Sequence, residues 1–124
     1  CSLAATSRAM HSAGINHRDY YLCHFHLDPA SLQQAKLRCH LIDLHRAQIR
    51  KVVPRRWRVK DLAGLYFSAM DCGITRRDLL RFMRAYSGEG LRDTLRSQRR
   101  LWTAVQVRAL KLYRQEYGRE PPAL

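Results

Sequence analysis

The chain has 124 residues, of which 46% are hydrophobic, so it is long and apolar enough to form one domain or part of one. Lysine and arginine number 23 against 10 acidic residues, and the net charge of +13 attracts nucleic acid, acidic lipid headgroups or phosphorylated sugars without choosing among them. No apolar run approaches the roughly 20 residues that span a bilayer, which argues against a membrane-spanning helix. The chain begins with Cys1 and a helical pattern follows at once, so we expect the C-terminal part of a longer protein.

The four cysteines are Cys1, Cys23, Cys39 and Cys72, and no two of them form a Cys-x-x-Cys pair. An even number can form disulfides, but a chain with this much apolar sequence has little need of them. We therefore expect free, buried thiols, which are typical of a reducing compartment.

The first half of the chain predicts one helix followed by a short hairpin. Apolar residues recur at helical spacing over residues 3–12, and the polar stretch 16–19 predicts a loop. Aromatic and apolar residues at 21–27 favour a strand. The Asp-Pro-Ala-Ser sequence at 28–31 is typical of a turn, and residues 37–44 predict the returning strand.

A basic stretch and an apolar stretch follow the predicted hairpin. Residues 45–58 are basic, contain Pro54 and lack a clear period, so we expect an ordered loop. Apolar residues dominate from residue 59 or 60 to 72, and Gly73 follows, which predicts a buried helix ended by glycine.

The last part of the chain predicts two more helices. Thr75 with Asp78 three residues on forms a near capping box for a helix that runs to about residue 86. The Ser-Gly-Glu-Gly sequence at 87–90 interrupts the pattern, and a last helix is predicted from about residue 91 to 117.

Two short motifs carry the candidate chemistry. His17-Arg18-Asp19 is followed after four residues by the polar side chain of His24, and a second acidic motif contains Asp43. Phosphoryl transfer needs a carboxylate at the acceptor hydroxyl and, some residues on, further ligands for the magnesium that neutralises the phosphates. A carboxylate on a tight loop and another after a hairpin can converge on one phosphate, so the two motifs suit that reaction.

These motifs and their neighbours resemble the lipopolysaccharide core heptose kinases of Gram-negative bacteria, which have a protein-kinase-like fold. The resemblance covers the chain well to about residue 90 and the last helix loosely. It implies a mainly α fold with a small β-hairpin (α+β), which is the C-lobe of a protein-kinase-like domain with the N-lobe absent. The segments that carry it are Gly14-Ile15-Asn16-His17-Arg18-Asp19-Tyr20-Tyr21-Leu22-Cys23-His24-Phe25, Ile42-Asp43-Leu44-His45-Arg46-Ala47-Gln48, Arg56-Trp57-Arg58, Lys60-Asp61-Leu62, Leu65-Tyr66-Phe67-Ser68, Thr75-Arg76-Arg77-Asp78 and Arg81-Phe82.

On this resemblance, residues 1–124 form one C-lobe unit. Its catalytic loop is at 14–25, its metal-binding aspartate motif is at 41–46, and its helical remainder is at 59–117. The glycine-rich loop and the lysine that hold the ATP phosphates in kinases would lie upstream of this chain.

The resemblance also assigns roles to the acidic residues. Asp19, within the His17-Arg18-Asp19 motif, matches the catalytic aspartate that takes or orients the proton of the acceptor hydroxyl. Asp43 matches the magnesium-binding aspartate. Asp61 matches the acid that braces the backbone of the catalytic loop, which is a structural role.

The basic residues near the two motifs have more open roles. His24 stands where most kinases have a metal-binding asparagine, although imidazole suits magnesium less well than an amide oxygen. It could be an atypical metal ligand, a hydrogen-bond donor to phosphate, or a packing residue. Arg46 is assigned to a cradle for an anionic acceptor or for the γ-phosphate, because guanidinium groups match phosphate in a bidentate manner. One or two more basic residues of the same loop would assist Arg46, and the others would form a solvated basic surface. The candidates are Arg50, Lys51, Arg55, Arg56 and Arg58.

The implied function is transfer of the γ-phosphate of ATP, with Mg²⁺, to a hydroxyl of a heptose in the lipopolysaccharide inner core. The acceptor is an anionic glycolipid, so we expect a cytoplasmic enzyme peripheral to the inner membrane, without a nucleic-acid partner. The chain alone is expected to be inactive, and nothing in the sequence indicates an oligomeric state.

Two other interpretations account for parts of the sequence. A basic helical nucleic-acid-binding module without catalytic activity would explain the charge and the arginine-rich last helix, but not two acids inside a basic surface. A structural zinc site could use the candidate ligands of the predicted hairpin, but strand alternation would place the first two on opposite faces. These candidate ligands are Cys23, His24, His26, Cys39 and His40.

Overall fold

The computed structural model describes residues 2–27 and 39–124, and over these ranges the protein is mainly helical. Five α-helices occur there, which are α1 (Ser2–Ser12), α2 (Arg55–Ala69), α3 (Arg76–Ser87), α4 (Leu91–Ser97) and α5 (Arg99–Tyr117). The strands are β1 (Ile15–Asn16), β2 (Phe25–Leu27), β3 (Cys39–Leu41) and β4 (Gln48–Ile49). Single 3₁₀ turns occupy Leu22–His24 and Leu44–Arg46. The prediction of a mainly α protein with a small β component is confirmed.

The strands form two antiparallel pairs, β1 with β4 and β2 with β3. Ile15 lies opposite Ile49 in the first pair, and the Arg50 N–H extends this pair by donating to the Gly14 carbonyl at 2.7 Å. Gly14 has a φ of 85°, and a Cβ there would collide with the Arg50 carbonyl oxygen. Glycine is therefore required at this position both by its conformation and by the close approach of the partner strand.

The main hydrophobic core lies where α2 packs against α5. Ala63 and Ala109 are completely buried, and their small side chains allow the two helices to approach closely. Each larger aliphatic side chain in such a core contributes about 1.5–3 kcal/mol through burial. The buried members of this core are Ala4, Val59, Leu62, Ala63, Met70, Tyr86, Leu101, Val105, Ala109 and Tyr113.

A second, smaller cluster attaches the segment after β1 to the helices. Tyr20 is only 1% exposed and packs with Met10 of α1 and Leu65 of α2, while its hydroxyl lies 2.6 Å from the Ser7 hydroxyl. A Cβ at Gly64 would come within 3.0 Å of the Tyr20 carbonyl oxygen. The absence of a side chain at Gly64 thus lets α2 lie directly against this loop.

The helix ends follow ordinary capping chemistry in α3. The Thr75 side chain accepts from the Asp78 N–H at 3.2 Å, and the Asp78 carboxylate accepts from the Thr75 N–H at 2.8 Å. Gly88 ends the helix in the left-handed conformation, with a φ of 72°. The predicted capping box is confirmed, and so is the helix end before residues 87–90 to within one residue.

Two helices depart from the sequence prediction. α2 begins at Arg55, earlier than the predicted start at residue 59 or 60, because Pro54 immediately precedes the first turn, where a missing N–H costs nothing. The predicted single helix after residue 90 is two helices, α4 and α5, separated at Gln98, whose φ and ψ are −116° and 24°. This break lets α4 pack against α3 while α5 packs along α2.

The predicted strands and loops are also altered. The predicted strand at 21–27 is a strand only from Phe25, since the preceding residues form a 3₁₀ turn. The predicted strand at 37–44 is β3 from Cys39 to Leu41 as far as the structure describes it, and a 3₁₀ turn follows. The predicted loop at 45–58 contains β4, whose partner lies far away in the chain and leaves no local signal. The predicted turn at 28–31 lies outside the described residues.

Cys23 and Cys72 are free thiols, and both are exposed. The expectation of buried thiols is therefore wrong for these two, because Cys23 lies on a surface turn and Cys72 follows the last turn of α2. Among the residues that the structure describes, no helix combines the length and the apolar character needed to cross a membrane.

Candidate functional site

The backbone that follows β1 is linked to the segment before Asp43 through His17. This side chain is fully buried, and its Nε2–H donates to the Ile42 carbonyl oxygen at 2.9 Å. Its Nδ1 accepts from the Asp19 N–H at 3.1 Å. Both nitrogens of a neutral imidazole are thereby satisfied. His17 therefore positions Asp19 and brings the two acidic motifs side by side.

His24 bridges the same two motifs on their more exposed side. Its Nδ1–H donates to the Asp19 carbonyl oxygen at 2.6 Å, and its Nε2 lies 3.1 Å from Asp43 Oδ2. The His24 ring also stacks on the His17 ring, with centroids 5.8 Å apart. Packing alone does not describe His24, because both of its ring nitrogens contact predicted site residues.

Asp43 is the candidate magnesium ligand of the second motif. The Asp43 side chain is 51% exposed, so its carboxylate is open to a ligand. Magnesium in kinases uses one or two carboxylates together with water and substrate phosphates, and it needs no closed cage of protein ligands. Asp43 therefore fits a Mg²⁺ ion that is held by one protein carboxylate together with water and phosphate oxygens.

Arg46 reaches across from the 3₁₀ turn after Asp43 to the first motif. Its Nη1 donates to Asp19 Oδ1 at 2.6 Å, and the Asp19 side chain is 16% exposed. The predicted phosphate-binding arginine thus contacts the predicted catalytic carboxylate directly. A charge-assisted bond of this length holds the carboxylate in one orientation.

Asp61 supports the backbone of the predicted catalytic loop, as the sequence predicted. Its side chain is 1% exposed, and its carboxylate accepts the His17 N–H and the Arg18 N–H, each at 2.9 Å. It also accepts from His11 Nε2 at 2.9 Å. A buried carboxylate is tolerated only when its oxygens are paired in this way. The structural role of Asp61 is confirmed, although the residue lies inside α2 and does not begin it.

A series of hydrogen bonds continues from Asp61 through residues that sequence analysis missed. His11 Nε2 donates to Asp61, and its Nδ1 lies 2.7 Å from the Tyr86 hydroxyl oxygen. The Tyr86 oxygen in turn accepts from Arg58 Nε at 2.9 Å. Burial raises the pKa of Tyr86, and the Arg58 guanidinium opposes that rise. The available signal was the spacing of His11 after Ala4, at i and i+7 on the buried face of α1.

Arg18 and Asp43 have positive φ angles of 77° and 58°. They are the two non-glycine residues with this conformation in the part of the chain that the structure describes, and each belongs to one of the two motifs. Such a conformation costs on the order of 1–3 kcal/mol and persists only where surrounding contacts impose it. The bonds to Asp61 and His24 supply those contacts.

Trp57 is surrounded by positive charge near the same loop. The cationic groups of Arg18, Arg50, Arg56 and Lys60 lie 5.3–5.8 Å from the centroid of its ring. Arg18 Nε and Trp57 Nε1 are buried and have no hydrogen-bond partner among the described residues. These five residues are called the Trp57 cluster below. Of the arginines proposed to bind phosphate, Arg50 and Arg56 belong to this cluster, while the Arg58 guanidinium faces Tyr86 instead.

Lys60 shows how concentrated this positive field is. Its pKa is lowered from the ordinary value of 10.5, first by desolvation and then by the charges of Arg18 and Arg46. The Asp19 carboxylate is the group that opposes the shift. Lys60 therefore lies within electrostatic reach of the predicted catalytic aspartate.

An apolar cavity of about 390 Å³ lies apart from these polar groups, between α2, α3 and α5. Leu62, Tyr66, Phe82 and Trp102 contribute to its walls. As to the alternative zinc interpretation, no three His, Cys, Asp or Glu side chains in residues 2–27 and 39–124 are grouped so that they could hold a metal ion. The side chain of Cys39, one of the proposed ligands, lies outside what the structure describes.

Comparison with known proteins gives concordant matches. The model of the lipopolysaccharide kinase (Kdo/WaaP) family matches residues 2–86. Two curated relatives are named lipopolysaccharide core heptose(I) kinase WaaP. The one from Escherichia coli is 50% identical over 111 residues, covering 89% of this chain and 42% of the relative. The one from Pseudomonas aeruginosa is 54% identical over 114 residues, covering 88% of this chain and 42% of the relative.

A solved structure described as WaaP in complex with acyl carrier protein is also similar. Its TM-score is 0.75 at 49% identity, and the match covers 90% of this chain and 48% of that one. The chain thus spans less than half the length of the relatives it matches. At this identity the shared fold extends to the arrangement of helices and strands described above.

Proposed function

The chain belongs to the lipopolysaccharide kinase (Kdo/WaaP) family, and from this premise we propose that it is the catalytic-loop half of an ATP-dependent kinase. The proposed reaction is phosphorylation of a heptose hydroxyl in the lipopolysaccharide inner core, as the names of the relatives suggest. In the proposed architecture this chain is the C-lobe of a protein-kinase-like fold. The kinase names of the relatives favour this function over the nucleic-acid-binding alternative.

The observation that carries the proposal is the convergence of Asp19 and Asp43. His17 bonds to the Ile42 carbonyl beside Asp43, and His24 contacts the Asp19 carbonyl and the Asp43 carboxylate, so the two backbone segments that carry these acids lie side by side. In this proposal Asp19 would accept or orient the proton of the acceptor hydroxyl. Asp43, with His24 beside it, would hold Mg²⁺, which when bound neutralises phosphate charge.

Arg46 and the Trp57 cluster supply the positive counterpart. Arg46 keeps Asp19 oriented through its 2.6 Å contact, and it lies within reach of any phosphate presented to that carboxylate. The unpaired N–H groups of Arg18 and Trp57 are donors without acceptors among the described residues. An anionic glycolipid acceptor would supply such acceptors, because buried donors gain most from charged partners.

The proposal places the enzyme in the cytoplasm, peripheral to the inner membrane, where ATP and the glycolipid acceptor meet. A net charge of +13 favours contact with an anionic membrane surface.

The test is turnover of the full-length enzyme with ATP, Mg²⁺ and the core glycolipid. Asp19→Asn and Asp43→Asn should each lower turnover at least about a hundredfold, the usual scale for a positioned acid–base group. Asp93→Asn, which changes an exposed carboxylate at the start of α4, is the matched control and should stay near wild type. Near-normal turnover of either site variant would refute the assignment.

A second proposed partner is an acyl carrier protein, since a structurally similar relative was solved with one. The apolar cavity of about 390 Å³ offers a place for an acyl chain. Calorimetric titration should show tighter binding of the acylated than of the unacylated carrier protein. Ala69→Phe, which adds a ring at the cavity wall, should remove that difference, and an unchanged difference would exclude this cavity as the acyl site.

A further inference from the structure

A second cleft, of about 300 Å³, opens where the end of α1 meets the start of α2 and the end of α3. Its lining includes two arginines, Arg8 and Arg58, and no aspartate or glutamate. The remaining lining residues are His11, Ser12, Val52, Val53, Tyr86, Ser87 and Gln98. None of them is assigned a part in the proposed phosphoryl transfer.

Among the residues that the structure describes, no carboxylate balances the charge of these two guanidinium groups. Neither Arg8 nor Arg58 forms an ion pair with a carboxylate in the part of the chain that the structure describes. Arg58 uses its Nε for the Tyr86 hydroxyl, and no bond from its Nη groups occurs among those residues. Two uncompensated guanidinium groups lining one cleft create a local positive potential that attracts anions.

Gly88 accounts for the position of Arg8. The Arg8 guanidinium packs against this glycine so closely that a Cβ at Gly88 would overlap it. The φ of 72° also disfavours any other residue there. The Arg8 side chain is exposed, and its guanidinium group lies directly against the end of α3.

Gln98 adds a neutral polar group to the same cleft. Its Oε1 is buried and has no hydrogen-bond partner among the described residues. A buried amide oxygen without a partner costs on the order of 1–3 kcal/mol, so a ligand hydroxyl that donates to it would be favoured. The cleft thus combines two cationic donors with one acceptor.

We propose that this cleft binds a phosphate monoester, with Arg8 and Arg58 on the phosphate and Gln98 on a neighbouring hydroxyl. Guanidinium groups recognise phosphate through paired N–H donors, which suits two arginines better than lysines. The cleft shares Arg58 and His11 with the hydrogen bonds that end on Asp61. The ligand would therefore lie beside His11, which bonds to Asp61 beneath the catalytic loop, and it would not touch the loop itself.

The test uses the full-length protein and two probes, glycerol 3-phosphate in solution and phosphatidylcholine vesicles containing phosphatidic acid. Binding is measured by calorimetry for the first and by co-sedimentation for the second, at constant ionic strength. Arg8→Ala should weaken binding of at least one probe by about tenfold or more, since a bond to a charged group is lost. Arg76→Ala removes an equal charge from the opposite end of α3 and should change binding less than twofold.

The two probes distinguish the sources of the phosphate. Arg8-dependent binding of glycerol 3-phosphate assigns the cleft to a soluble phosphate ester, and Arg8-dependent binding of the vesicles alone assigns it to a lipid headgroup. Saturable binding to neither probe, or equal weakening by Arg8→Ala and Arg76→Ala, overturns the proposal. Arg8→Lys keeps the positive charge but not the paired N–H donors, and it serves as the second variant if Arg8→Ala folds poorly. Its affinity for the probe should be lower than that of the wild type and higher than that of Arg8→Ala.

Discussion

Replacing Asp61 by alanine tests how the catalytic loop is held. This carboxylate lies inside α2, is 1% exposed, and accepts from the His17 N–H, the Arg18 N–H and His11 Nε2. No other acceptor for these three donors is present in the described structure. The substitution should leave the fold of α2 intact, because alanine has the highest helix propensity.

The magnitude follows from the three donors. Each buried donor that loses its acceptor costs about 1–3 kcal/mol, and His11 keeps one partner in Tyr86, which lessens its share. The positive φ of Arg18 also loses the contact that imposes it. We expect Asp61→Ala to lower the free energy of unfolding by about 3–5 kcal/mol, the range seen when one member of a buried charged network is removed.

Urea denaturation of the full-length protein measures this change. Glu116→Ala, which removes an exposed carboxylate from α5, is the matched control and should change stability by less than about 0.5 kcal/mol. Combining Asp61→Ala with His11→Ala should give less than the sum of the single losses, because the two residues contact each other. A loss below about 1 kcal/mol for Asp61→Ala, with an unchanged dependence on urea, would refute the argument that these bonds hold the loop.

Three further predictions concern the site, the capping box and the isolated chain. His24→Asn should retain more turnover than His24→Ala, because an amide can still donate toward the Asp19 carbonyl or offer an oxygen ligand; equal turnover would contradict this. The pKa of Asp78 is lowered from 3.8, first by the backbone and then the side-chain hydrogen bond from Thr75, so the stabilisation is present above pH 3.8 and is lost as pH falls through the lower folded value. Asp78→Asn should therefore reduce the melting temperature more at pH 7 than at pH 2, and a pH-independent difference would argue against the carboxylate's role. Residues 1–124 alone should show a mainly helical circular dichroism spectrum but no measurable phosphate transfer, since kinases clamp the nucleotide between two lobes; robust transfer by these residues alone would contradict this expectation.

Local chemistry made several features of this protein predictable from the sequence. The helix at 3–12, the capping box of Thr75 and Asp78, and the helix end at Gly88 all depend on residues within about one helical turn of each other. The order and spacing of the two acidic motifs indicated the family, because a family's motif is carried by residue types along the chain. The role of Asp61 was predicted in the same way, through its match to that pattern.

The tertiary structure decided the contacts that join distant parts of the chain. β4 was missed because its partner is β1, and the two-residue pair has no periodic pattern of its own. The bond between His11 and Tyr86 joins residues that are 75 positions apart, and nothing in either residue type predicts this partner. Arg46 was predicted to bind phosphate, and only its position in space shows that its guanidinium also contacts Asp19. The motif residues can thus be recognised in the sequence, whereas their hydrogen-bond partners depend on which helices and turns pack together. Side-chain hydrogen bonds are only about 3 Å long, and they can join residues at any separation along the chain.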